Sequence, residues 1–132
     1  MDSFKSLLLK EYEINIKKNS KKLVIDIDGV VATLVKSGDY SKSKPIRENI
    51  NRINKLKQSG LKIIFYTARG SETEINWEQI TKDQFKKWGL LYDELKFGKP
   101  AADLYIDDKA ATPPILNELV NKIQEKSKKD NN

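Results

Sequence analysis

Apolar positions along this chain form two patterns, continuous runs and helical stripes, and the two alternate. "LVIDID" at 23–28 and "LKIIFYTA" at 61–68 are continuous, as in parallel strands covered on both faces. "DLYID" at 103–107 reads as a further strand, and Leu95 to Phe97 as a short extended piece. Between the runs the spacing turns helical. Phe4, Leu7, Leu8 and Tyr12 predict a short opening helix. Ile46, Ile50, Ile53 and Leu56 predict a helix opened by Pro45 and ended near Ser59-Gly60. Trp77, Ile80, Phe85 and Trp88 predict another, with its aromatic residues in the core. Thr112 as cap and Pro113 as first helical residue introduce a last helix, with Ile115, Leu116, Leu119 and Ile123 as its buried stripe. "VATLVKSGDYS" sets β-branched residues before Gly38-Asp39 and reads as a small hairpin or flap.

Strand alternating with helix predicts an α/β fold with right-handed crossovers: a Rossmann-like three-layer α/β/α sandwich around a mainly parallel sheet. The 132 residues show no internal repeat and suit one modest core. The expectation is a single domain over 1–132, its core at about 23–125, with 126–132 as a flexible tail.

Composition then narrows the chemistry. The chain has no cysteine and no histidine. That excludes disulfides, thiolate or imidazole metal sites, and Ser-His or Cys-His dyads. Acid–base work falls to carboxylates, Lys or Tyr, and any metal is held by oxygens, which favours Mg²⁺. The net charge of +6 sits largely in "KKNSKK" and "KSKKD", which read as solvated linker and tail. No apolar run approaches the ~18 residues of a membrane span, and "SFKSLLLKEY" is too short and charged for a signal peptide. The expected address is cytoplasmic, with no membrane partner.

In open parallel sheets, functional residues collect beyond the carboxyl ends of the strands. Those ends carry Asp26 and Asp28, then Thr67, Ala68 and Arg69, then Asp107 and Asp108, with Lys99 in the "GKP" connection. Four carboxylates in one place need cations, which Lys99 and Mg²⁺ would supply, and a phosphate dianion then becomes tolerable. Asp26 is the candidate nucleophile towards phosphorus. Asp28, two residues on, is the candidate acid–base. Gly29 would turn the chain and offer backbone N–H groups to the phosphoryl group. Thr67 offers a hydroxyl to phosphate, and Ala68 falls in the same stretch. Lys99 neutralises charge. The expected metal ligands are Asp26, Asp28, Asp107 and Asp108. Arg69 reads equally as a substrate contact or a salt-bridge residue, and Tyr40 in the flap is a candidate substrate contact.

"DIDGV", "YTAR", "GKP" and "YIDD" follow the order of the four motifs of the haloacid dehalogenase-like phosphatase superfamily, and the chain resembles that group over roughly residues 23–112. The resemblance implies a Rossmann-like, Mg²⁺-dependent phosphotransferase working through an aspartyl phosphate. It implies Asp26 as nucleophile and Asp28 as acid–base, whose backbone carbonyl also meets Mg²⁺. Thr67, Lys99 and Asp107 match the phosphate-binding, charge-neutralising and metal-binding positions. Two departures stand out. Val30 replaces the Thr common in that position, and Lys99 lies only a few residues before the acidic segment. There is no room for a cap domain, which suits an open site or a lid borrowed from a second copy, hence a homo-oligomer.

The layout looks like the small phosphatases of capsule and surface-polysaccharide biosynthesis, so a phosphorylated sugar or polyol is the first substrate class. A rival is a nucleic-acid 3′-phosphatase, as in polynucleotide kinase-phosphatases, with Lys42, Lys44 and Arg69 lining a groove for the backbone. A second rival is a non-catalytic phosphate- or metal-binding module.

Overall fold

The computed structural model describes residues 21–130, so the opening helix expected over 4–12 lies outside the described residues. Strands β1 (Lys22–Ile25), β2 (Lys62–Thr67) and β3 (Glu94–Phe97) alternate with helices α1 (Arg47–Gln58), α2 (Glu78–Trp88) and α3 (Ile115–Asp130). The sheet is parallel, in the order β1-β2-β3, with Ile25 opposite Phe65 and Phe65 opposite Leu95. The α/β class expected from the alternating pattern is the one observed.

β2 takes the centre because its three consecutive apolar residues Ile63, Ile64 and Phe65 are all buried. Along α1, Ile50, Ile53 and Leu56 recur on one face and are fully buried. They meet Ile25, Ile63 and Phe65 from one face of the sheet, together with Phe85 and Trp88 of α2 and Leu116, Leu119 and Val120 of α3. The Phe65 and Phe85 rings lie 4.9 Å apart, with Tyr92 edge-on to both. A buried aromatic of this kind contributes about 1.5–3 kcal/mol through area alone. On the opposite face of the sheet Val24 is 64% exposed.

Beyond β1 the chain tightens. The carbonyl of Ile27 accepts from the N–H groups of Val30, Val31 and Ala32. The chain then returns antiparallel: Thr33 N–H donates to Lys44 O and Ile46 N–H to Val31 O, each at 2.8 Å. The flap is thus a closed loop pinned at its base, carrying a 3-10 turn at Tyr40–Lys42, rather than a two-stranded hairpin.

Three segments depart from the sequence pattern. "DLYID" forms no strand: residues 101–112 are exposed throughout, Leu104 at 72% and Ile106 at 90%. A strand exists only with a neighbour, and among the described residues β1 pairs with β2 alone. Thr112 and Pro113 precede α3 as a turn, Ile115 N–H donating to the Thr112 carbonyl at 3.0 Å, and the helix begins at Ile115. At its other end α3 takes in residues 126–130, the stretch expected to open the tail.

Candidate active site

Asp26 is the first residue past β1. Its Oδ1 accepts from Ile27 N–H at 2.8 Å, and Lys99 Nζ lies 3.7 Å from its Oδ2. Lys99 is fixed by its own backbone. Its N–H donates to the Thr67 carbonyl at 3.1 Å, and its carbonyl accepts from the Ser71 hydroxyl at 2.6 Å. Its ammonium also stands 4.0 Å from the centre of the Tyr105 ring. The Asp26 side chain remains 39% exposed, so an incoming electrophile can reach it.

Asp28 is placed differently. Both of its oxygens accept from Arg69, Nε at 3.0 Å and Nη2 at 2.9 Å, a bidentate pair. The Arg69 side chain is completely buried. Its Nη1 donates to the Thr81 hydroxyl at 3.0 Å and to Gln84 Oε1 at 2.7 Å, both on α2. Gln84 Nε2 in turn donates to the Tyr40 carbonyl at 2.6 Å. The Arg69 guanidinium lies 4.8 Å over the Tyr40 ring, which packs edge-on against Trp77 at 5.1 Å. Burial, then the charge of Asp28, pushes the Tyr40 phenol above its ordinary pKa. The flap, α2 and the end of β1 therefore share one hydrogen-bonded network.

This network places several of the expected site residues. Arg69 is an internal ion-pair residue, and its guanidinium makes four hydrogen bonds within the protein. Its donors are engaged within the protein, whereas Lys42 and Lys44 are exposed. Trp77 stands just before α2, half-buried against Tyr40, and not on the core stripe with Phe85 and Trp88. Gly29 does turn the chain with φ +85°, but its N–H donates to the Ala32 carbonyl at 2.7 Å and is spent within the turn. Thr67 is fully buried, its hydroxyl accepting from Arg69 N–H at 3.1 Å. The neighbouring Ala68 carbonyl accepts from Ser71 N–H at 2.9 Å.

Asp107 and Asp108 lie on the exposed 101–112 segment. The backbone N–H of Lys109, then the Asp108 side chain, holds the Asp107 carboxyl below the usual carboxylate range. Among the described residues no three acidic side chains gather closely enough to hold a metal ion. As arranged, the described residues bring no three acidic side chains together around a resident Mg²⁺, and both side-chain oxygens of Asp28 are taken by Arg69. The structure thus unites Asp26 with Lys99, and Asp28 with Arg69, and leaves Asp107 and Asp108 outside both pairs.

Sequence reasoning missed Thr81 and Gln84, which stand one helical turn apart on α2. Two hydrogen-bonding side chains at i, i+3 on a helix following an Arg were the available signal.

Fold and site together define a Rossmann-like α/β chain with an accessible carboxylate–lysine pair at a strand end. No protein-family model matches it, and no curated protein does. Solved structures do. A structural-genomics target from Vibrio cholerae is 28% identical with a TM-score of 0.67, covering 80% of this chain and 98% of that one. A chain of the Pnkp1/Rnl/Hen1 RNA repair complex is 21% identical with a TM-score of 0.48, covering 78% of this chain and 32% of that one. The first likeness extends over most of the chain, in keeping with the α/β fold. Among the described residues no helix is long and apolar enough to cross a membrane.

Proposed function

We propose that this chain is a haloacid dehalogenase-like phosphomonoester hydrolase in which Asp26 is the nucleophile, acting on a phosphorylated sugar or polyol. The observation that carries the reading is the Asp26–Lys99 pair, a part-exposed carboxylate 3.7 Å from an ammonium at the carboxyl end of a parallel strand. An Asp26 oxygen forms a bond to phosphorus, and the bond from phosphorus to the ester oxygen breaks, that oxygen taking a proton as it leaves. Water then attacks the phosphorus of the aspartyl phosphate, releasing inorganic phosphate and restoring Asp26. Lys99 offsets the negative charge of the nucleophile and of the phosphoryl oxygens. Asp28 is the residue proposed to move the proton, and that role requires one of its two contacts with Arg69 to open. Mg²⁺ belongs to the same reading through the motif order "DIDG", "GKP", "YIDD". Among the described residues no three acidic side chains assemble a site for it as arranged. The nucleic-acid alternative loses one of its three cations to the burial of Arg69.

Phosphate release from a panel of sugar and polyol monophosphates, with Mg²⁺ and with EDTA, tests the proposal beside Asp26→Asn. Turnover that disappears in the variant supports it. Equal release by wild type and variant overturns it.

A further inference from the structure

A cavity of about 420 Å³ opens between the 70–78 loop and the end of β3, its lining reaching Gly98, the residue before Lys99. Its position ties it to the chemistry at two points. Arg69, which holds Asp28, and Gly98, next to Lys99, both line it. We infer that this cavity receives the uncharged, hydroxyl-bearing part of a phosphate monoester and rejects ligands with a second anionic group there. The inference rests on the phosphatase reading for which end of the ligand is the phosphate.

The lining explains both halves of the statement. Leu95, Phe97, Ile75 and Trp77 supply an apolar and aromatic surface for the C–H faces of a ring or chain. Glu74 and Glu78 supply carboxylate acceptors for hydroxyl groups. The cation on the lining is Arg69, whose donors are engaged by Asp28, Thr81 and Gln84. Glu78 has Lys82 at 3.1 Å, whereas Glu74 has no ion pair among the described residues. A second phosphate or a carboxylate entering here would meet negative charge with no unspent cation to offset it.

The wall is also set before any ligand arrives. Glu74 has a left-handed backbone, φ +60°, which is uncommon outside glycine, and its N–H closes back on the Gly70 carbonyl at 2.9 Å. Gly70 has φ +81°, and a Cβ there would stand 2.2 Å from the Ile75 carbonyl oxygen. Backbone held in such conformations is typical of binding loops.

The test compares fructose 6-phosphate with fructose 1,6-bisphosphate in an Asp26→Asn background, where neither is turned over. Trp77 fluorescence reports occupancy of the cavity, with the buried Trp88 as constant background. The monophosphate is expected to bind on the order of tenfold tighter, and adding Glu74→Lys to narrow that ratio on the order of tenfold. Equal affinities, a ratio indifferent to Glu74→Lys, or no fluorescence change with either ligand at millimolar concentration overturns the inference. A wild type that shows the affinity difference yet releases no phosphate overturns the hydrolase reading and leaves the cavity's selectivity standing.

Discussion

Arg69 grips both carboxylate oxygens of Asp28, at 3.0 and 2.9 Å, from a completely buried position on the next strand's end. Removing the guanidinium strands three acceptors at once: Asp28, the Thr81 hydroxyl and Gln84 Oε1. Arg69→Met is therefore expected to destabilise the protein by about 3 kcal/mol, the cost of leaving a buried charge unpaired. Thermal denaturation should show a Tm drop of more than ~10 °C. Arg69→Lys should recover less than half of it, because an ammonium cannot hold two oxygens and two α2 side chains together. A variant within a degree or two of wild type would contradict this role.

Asp93 fastens the start of β2. Its Oδ2 accepts from Ile63 N–H at 2.8 Å, and Lys57 Nζ lies 3.0 Å from Oδ1. The backbone donor first, then Lys57, lowers the Asp93 pKa below its ordinary value. A lowered carboxyl pKa stabilises the fold above the unfolded-state value and stops doing so as pH falls through the folded value. The Tm advantage of wild type over Asp93→Asn should thus be full at about pH 6 and fade below ~3.9. Because the pair is largely exposed, the advantage should be small at any pH. An advantage that persists unchanged in acid would remove Asp93 from the account.

Gly70 shapes the 70–75 turn. Gly70→Ala should cost about 1–3 kcal/mol, since the added methyl meets a backbone oxygen and cannot be relieved by rotating a side chain. Hydrogen exchange at the Glu74 amide should speed up with it, as its bond to Gly70 O opens. Unaltered exchange there would show that the turn tolerates a side chain.

How much of this was legible beforehand divides along locality. β2, α1 and α2 could be read because consecutive or 3.6-spaced burial is written into neighbouring residues, as in Ile63–Phe65 or Ile50, Ile53 and Leu56. The meeting of Asp26 with Lys99 was legible through the rule that strand ends converge. "DLYID" was misread because its pattern states a preference for a strand without supplying the neighbour that makes one. Arg69 was half-read. With Ile25 paired to Phe65, Asp28 comes three residues later on one strand and Arg69 four later on the other, which places them side by side. That Thr81 and Gln84 also converge on the guanidinium depends on the docking angle of α2, and no local pattern records an angle.

The ammonium of Lys99 lies 3.7 Å from Asp26 and 4.0 Å from the Tyr105 ring, while the Tyr105 hydroxyl donates to the Pro100 carbonyl at 2.6 Å. One cation thus serves as both counter-ion and tether: it moors the long exposed segment to the end of β1. Lys99→Met severs both ties, whereas Tyr105→Leu severs the mooring and leaves the charge beside Asp26 in place. If turnover falls on the order of a hundredfold in the first and only a few-fold in the second, the loss belongs to the charge. Equal losses would assign it to the tether, and proteolysis between residues 100 and 112 should then quicken in both. A kinetic defect at position 99 is a sum of two effects, and Tyr105 is the means of separating them.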